Sequence, residues 1–443
     1  MQKKKAYAVS TAHLDTVWRW DLRKTIEEYL PDTLRKNFDL IERYPDYCFN
    51  FEGAFRYQLI EEYYPLAFGK IQNLVKRGNW YPAGACYENG DVNIPSPEAL
   101  FRNILLGNRY FQEKFGVQSK DIFLPDCFGF GHALPSVMKY AGLLGFTTQK
   151  LSWGSAYGVP FTLGYWQGVD GSRVLACPNA RSYRSKFSGD LRGEVSVIDD
   201  VAKNAFEGGL PYAQHLYGTG DVGGAPTEES VQSVCASAAE NGQKDFDVIS
   251  AQSDQIFKDI DALPDSDKDR LPVWNNELLM TSHGAGGYTA RAMSKRLNRQ
   301  CEVLADVAES TLSTAELLGV YTYPQETVTK AWERLIQHQF HDDLPGTSNM
   351  DIYNTGWNDY HTSLVQLQGE YTGAVGAIAN QLDTQWVTDC ALIVHNPLPF
   401  ARTESVEAHV RLNHNGKYLR VLDRDGNELP SQVIRKEGKT GKG

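Results

Sequence analysis

His13 and Asp15 stand two residues apart, just after the run Lys5-Ala6-Tyr7-Ala8-Val9-Ser10-Thr11. The run reads as a short buried β-strand, and along a strand alternate side chains share a face. An imidazole and a carboxylate side by side at a strand end supply half of a divalent-metal site. Trp18 follows closely and adds an aromatic face of the kind that carries sugar rings. The competing reading is a surface His and Asp at an ordinary strand–helix turn.

Three further stretches have residue types that could do chemistry. Leu124-Pro125-Asp126-Cys127-Phe128-Gly129 ends a candidate strand in an acid followed by a Gly-rich turn. Catalytic groups favour the C-terminal ends of barrel strands, where loops leave room for substrate; a helix N-cap is the competing role for Asp126. Gln339-Phe340-His341-Asp342-Asp343-Leu344-Pro345-Gly346 places His341 just past a helix, where a metal or substrate role competes with polar capping. Tyr217-Gly218-Thr219-Gly220-Asp221-Val222-Gly223-Gly224 surrounds Asp221 with glycines that permit backbone close to a ligand. It lacks the Gly-Lys-Ser/Thr ending of a phosphate loop, and a flexible loop with an exposed acid is the alternative.

The elements that must position these residues follow from periodicity. At 443 residues, two or three domains are expected. Up to about residue 285, short apolar runs (Ile122–Leu124, Phe146–Thr148, Arg173–Ala176, His215–Tyr217, Leu278–Met280) alternate with helical stretches such as Ala99–Phe115. That alternation predicts an α/β domain with a largely parallel sheet, open or barrel-like. Leu297, Cys301, Leu304, Ala308 and Leu312 then recur at helical spacing, with Gly319 as a C-cap. A second helix is predicted over about Thr327–Gln339. A third carries an a/d seam of Tyr353, Trp357, Tyr360, Leu364, Leu367, Tyr371, Ala374, Ile378 and Leu382. Together they predict a three-helix bundle over 286–386. From 387 to 443 the pattern turns to strands, at Ile393-Val394, Ser405–Val410 and Tyr418–Leu422, with a turn at Asp425-Gly426-Asn427. Three or four strands would leave edges bare, so these residues read as the beginning of an all-β sandwich. The missing β region is expected in cis or from a second chain, and homo-oligomerisation is left open.

Composition narrows the partners. A net charge of −11 without a basic run argues against nucleic acid and anionic membranes. Seven scattered cysteines without a CxxC, and no apolar signal region after Met1-Gln2-Lys3-Lys4-Lys5, predict a reduced cytoplasmic protein. Aromatic content of 12% suits carbohydrate binding.

Taken together, the segments resemble glycoside hydrolase family 38, the α-mannosidases. Ala12-His13-Leu14-Asp15 through Trp18 is similar to that family's first metal motif. Gly78-Asn79-Trp80 and Asp91-Val92-Asn93-Ile94-Pro95-Ser96-Pro97-Glu98 resemble its GxW…DxNxPSxE stretch, and Pro125-Asp126-Cys127-Phe128-Gly129 its nucleophile segment. Gly220-Asp221-Val222-Gly223-Gly224-Ala225-Pro226-Thr227, Gln339-Phe340-His341-Asp342 and Asn396-Pro397-Leu398-Pro399-Phe400 resemble three later motifs in the same order. The resemblance implies a Zn²⁺ (Co²⁺ as the alternative) held by His13, Asp15, Asp126 and His341. It implies retaining chemistry with Asp126 as nucleophile, and Asp221 becomes the candidate acid/base. Trp18 and Phe128 would line the sugar subsite, and Asp342 would accept a sugar hydroxyl.

The expected function is therefore hydrolysis of terminal α-D-mannosides through a covalent mannosyl-enzyme. One rival is a metal-dependent polysaccharide deacetylase, in which the metal would activate water. The absence of a compact His-x₃-His pair disfavours it. The other is a non-catalytic sugar-binding fragment, which the presence of all four proposed ligands and both carboxylates disfavours.

Overall fold

A computed structural model describes residues 2–410 and 419–435. Seven strands carry the N-terminal part: β1 (Lys4–Ala12), β2 (Phe49–Glu52), β3 (Trp80–Ala83), β4 (Asp121–Phe123), β5 (Gly145–Thr147), β6 (Arg173–Cys177) and β7 (Tyr212–Thr219). β7, β1, β2 and β3 pair in parallel, and so do β4, β5 and β6. Backbone bonds join the two sets at both seams. Ala85 N donates to Asp121 O at 2.8 Å just past β3, and Leu216 N in β7 donates to Ala180 O at 2.7 Å just past β6. The result is a barrel-like ring whose neighbours are successive in the chain, as right-handed βα connections produce.

The residues explain why these runs are strands. Residues 6–12 of β1 are all buried, the pattern of a parallel strand covered on both faces. One apolar cluster gathers Ile122, Phe146, Trp166 and Ala176, and a second gathers Tyr7, Leu175, Tyr212 and Leu216. A further strand, β8 (Phe246–Ser250), pairs with the first half of β1. Helix α1 (Pro97–Phe115) starts two residues before the sequence expectation. Pro97 suits its first turn, and Ser96 caps it by accepting from Ala99 N at 3.2 Å.

The chain divides into two compact units, residues 1–309 with 324–371 and residues 310–323 with 372–443. Three long helices follow the barrel: α2 (Ala292–Leu317), α3 (Gln325–Gln337) and α4 (Met350–Ala379). Within the first unit Trp357 donates to Ser294 Oγ at 3.0 Å, and Arg334 to Gln366 at 2.8 Å. The periodic positions Leu297, Cys301, Ala308, Tyr353, Tyr360 and Leu367 are buried, which is what the seam requires. Leu304 and Trp357 are half-buried, and Leu382 lies past the end of α4 and is exposed.

The second unit departs most from expectation. Ile393-Val394 and Ser405–Val410 form no strand, because no second strand lies beside them among the described residues. The turn at Asp425-Gly426-Asn427 does close a hairpin, pairing Val421–Leu422 with Glu428–Leu429, and Gly426 takes φ +83°. Tyr418 of the third expected strand lies outside the described residues. The seven cysteines are unpaired. Among the described residues no helix is long and apolar enough to cross a membrane.

Candidate active site

Residues just past the C-terminal ends of β1, β4, β5, β6 and β7 line one cavity, as barrel geometry favours. β1 ends at Ala12, one residue before His13, and Leu14 still makes a β-bridge to Val222. Asp15 N donates to Asp221 O at 2.8 Å and Gly223 N to His13 O at 3.1 Å, so the loop after β7 pins the end of β1. The glycines of that loop are structural necessities. A Cβ on Gly218 would fall 1.9 Å from Thr11 O, and one on Gly220 would fall 1.9 Å from the Tyr183 ring. Asp221 itself is held at φ +69°, in the left-handed region.

His13, Asp15, Asp126 and His341 are buried, and each offers one ligand atom within 4.8 Å of the others. His13 Nε2 lies 3.1 Å from Asp15 Oδ1, while its Nδ1 lies 2.7 Å from Glu52 Oε1 at the end of β2. His341 arrives from the turn after α3. Its backbone N donates to Asn89 O at 3.1 Å and its Nδ1 lies 2.9 Å from the same oxygen. Its Nε2 is 3.4 Å from Asp15 Oδ1 and 3.7 Å from Asp126 Oδ2, yet it is buried without a hydrogen-bond partner. Both rings thus spend Nδ1 on an outer oxygen and turn Nε2 inward, the arrangement of metal-binding histidines. Two imidazole nitrogens and two carboxylates fit a divalent cation of borderline softness. Beneath them the buried pair Arg56–Glu88, at 3.1 Å, ties down the backbone, with Arg56 Nε donating to Leu14 O at 2.8 Å and Thr16 Oγ1 to Glu88 Oε2 at 2.7 Å.

Charge in the cluster is strongly correlated. Burial alone would push His13 down, but Asp15 and Glu52 outweigh it and raise it to about 9. Burial would raise Asp126, but the nearby His341 ring and the Lys150 charge hold its carboxyl well below the usual carboxylate range. The buried Lys150 ammonium pairs directly with Asp126 Oδ1. Burial first, then the charge of Asp15, lifts Asp342 to about 7 against the opposing pull of His341.

Above this floor lies a cavity of about 320 Å³. Trp18, Phe128, Trp153, Tyr183, Arg184, Asp221, His283, Asp342 and Thr347 line it together with Asp15, Asp126 and Lys150. The Tyr183 hydroxyl stands 3.1 Å from Asp126 Oδ1 and 3.1 Å from Asp221 Oδ1, bridging two carboxylates from different strand ends. Arg184 pairs with the other oxygen of Asp221. Thr347 donates to Asp342 Oδ1, and Phe128 stands edge-on to His341 with ring centroids 6.0 Å apart.

Comparison with known proteins follows the same outline. Residues 3–277 match the N-terminal domain of glycosyl hydrolases family 38, and residues 283–378 match the alpha mannosidase middle domain. The chain belongs to glycosyl hydrolase family 38. Alpha-mannosidase 2C1 of Homo sapiens is 31% identical over 401 residues, which are 90% of this chain and 37% of the human protein. An alpha-mannosidase of Saccharomyces cerevisiae is 29% identical over 92% of this chain and 37% of its own length. The chain thus spans little more than a third of these relatives. The crystal structure of an alpha-mannosidase from Enterococcus faecalis shares the fold with a TM-score of 0.69 at 21% identity, covering 86% of this chain and 43% of that one.

The sequence-selected residues all sit at this one cavity or its floor. His13, Asp15, Asp126 and His341 form the floor, while Trp18, Phe128, Asp221 and Asp342 line the walls. Lys150, Tyr183, Arg184 and Glu52 were not singled out by sequence. Glu52 closes β2, Lys150 stands three residues past β5, and Tyr183 and Arg184 stand six and seven residues past β6, so they come into view once the strand ends are known.

Proposed function

We propose that this chain hydrolyses terminal α-D-mannosides with retention of configuration. The observation that carries the reading is the Tyr183 hydroxyl, 3.1 Å from an oxygen of each of Asp126 and Asp221. The two carboxylate oxygens therefore lie no farther apart than twice that distance. Inverting pairs stand about 6.5–9.5 Å apart to admit a water, and retaining pairs about 5–5.5 Å. Asp126, ionised by its contact with Lys150 and His341, attacks the anomeric carbon as Asp221 gives its proton to the departing glycosidic oxygen. A mannosyl ester forms on Asp126. Asp221 then takes a proton from water, which attacks the same carbon and frees Asp126. Tyr183 and Lys150 orient the Asp126 carboxylate between these steps.

His13, Asp15, Asp126 and His341 would hold Zn²⁺, or Co²⁺ as the alternative, and the cation would supply a Lewis-acid anchor for sugar hydroxyls. Trp18 and Phe128 provide apolar walls for the ring, and Asp342 an acceptor for a hydroxyl. A deacetylase would have no use for a second carboxylate tied to the first through Tyr183, and a binding fragment none for an ionised Asp126 held by a buried lysine. We place the catalytic domain at 1–285, the bundle at 286–386 and the β-type region at 387–443. The free cysteines support a reducing, cytoplasmic location. Release of 4-nitrophenol from its α-D-mannoside, with the first sugar product observed by NMR as the α-anomer, tests the reading. A β-anomer as first product, or no turnover by metal-loaded protein, rejects it.

A further inference from the structure

The polar groups of the cavity grade outward. Side-chain exposure is 2% for Asp15, 11% for Asp126 and 21% for Asp221, and reaches 53% for the Arg184 guanidinium paired with Asp221. A sugar held with its anomeric carbon between Asp126 and Asp221 therefore sends its departing group toward Arg184. That guanidinium gives one N–H to Asp221, and its other donors are unused among the described residues. Arg19 lines the same cavity, stacks on Trp18 at 4.1 Å and makes no side-chain hydrogen bond or ion pair among the described residues. Deeper in, positive charge is consumed locally, as Lys150 is by Asp126. In a chain of net charge −11, two arginines with spare donors lining one cavity are a local feature rather than a basic surface.

We propose that Arg184, assisted by Arg19, binds an anionic group on the leaving moiety, so that the preferred substrates are α-mannosides of acidic aglycones. This rests on the mannosidase reading of the same site. A guanidinium offers a planar fork that pairs with a carboxylate or a phosphate ester through parallel N–H···O bonds. Neutral hydroxyls form weaker bonds with it, so the charge of the aglycone becomes the discriminating feature.

The test compares kcat/KM for 3-carboxyphenyl and 3-carbamoylphenyl α-D-mannosides in the wild type, Arg184→Gln, Arg184→Lys and Arg19→Gln. Taking the ratio of the two substrates within one protein cancels differences in folded fraction. Comparing ratios between proteins cancels the difference in leaving-group chemistry. The acid-over-amide ratio should be about tenfold higher in the wild type than in Arg184→Gln, corresponding to one charged contact. Arg184→Lys should keep part of the preference, Arg19→Gln should lose less than Arg184→Gln, and added salt should erode it. Hydrolysis of both mannosides with the same ratio in wild type and Arg184→Gln overturns the proposal while leaving the mannosidase reading intact. Hydrolysis of neither by the wild type overturns both.

Discussion

His338 and His341 are three residues apart, both buried, and both faced by carboxylates, yet they serve two regions of opposite character. His338 Nδ1 lies 2.7 Å from Asp343 in the turn that follows and its Nε2 3.0 Å from Asp359 of α4, so both nitrogens are spent on holding the end of α3 in place. His341 spends only Nδ1, and its Nε2 points without a partner into the cavity floor beside Asp15 and Asp126. Residue type and burial do not separate a structural histidine from a ligand. In this pair the free Nε2 of His341 does, because an unpartnered buried polar atom costs about 1–3 kcal/mol unless something binds it.

The cavity region should answer to mutation in activity and the helix-end region in stability. Asp126→Asn separates them most strongly. With the proposed nucleophile gone, kcat should fall by at least about 10⁴-fold on every mannoside, aryl or alkyl, as losses of nucleophiles do. Steady-state kinetics beside a circular-dichroism melt checks this; comparable turnover on any mannoside would sink the role.

Asp221→Ala should be next. Alkyl mannosides should slow by about 10²–10⁴-fold, while 4-nitrophenyl mannoside, which departs with little protonation, should lose much less in its glycosylation step. Equal losses on both would remove Asp221 from the acid role.

His341→Ala against His338→Ala tests the pair itself. His341→Ala should lower metal affinity beyond the ~10–100-fold that an outer partner costs, with metal content measured by mass spectrometry. His338→Ala should retain its metal and lose about 3 kcal/mol of stability, the cost of stranding buried carboxylates. Equal metal loss in both variants would erase the distinction.

The smallest effect is a pH slope. Burial alone would lower His338, but Asp343 and Asp359 outweigh it and raise it to about 9. A raised folded value means the charged ring stabilises the fold. That stabilisation is complete below the unfolded value of about 6.5 and is lost as pH rises through about 9. The wild-type melting temperature should therefore fall over that window, by no more than about 3 kcal/mol of stability, and His338→Gln should flatten the fall. An unchanged slope in the variant would show that His338 does not titrate there.

The same contrast explains what could be read in the sequence. Five of the seven barrel strands were legible because Tyr7, Ile122, Phe146, Leu175 and Leu216 are buried, and burial on both faces of a parallel sheet leaves apolar runs; β2 and β3, interrupted by Asn50 and by Pro82, were not. The floor was legible because His13, Asp15, Asp126 and His341 sit in short ordered motifs. The partners Lys150, Tyr183 and Arg184 were not, since nothing local marks Lys150 as buried or Tyr183 as reaching two carboxylates. Those facts arise only when strand ends meet. Ser405–Val410 failed for the opposite reason. Its alternation is sound, but a strand needs a neighbour, and alternation alone does not supply one.

Trapping with a 2-deoxy-2-fluoro mannosyl donor, followed by peptide mapping, tests the central assignment most directly. The fluorine slows both steps, so the ester should accumulate. The account predicts one mannosyl label per chain, carried by Asp126 and absent from Asp126→Asn. A label on Asp221, or on any other residue, would contradict it.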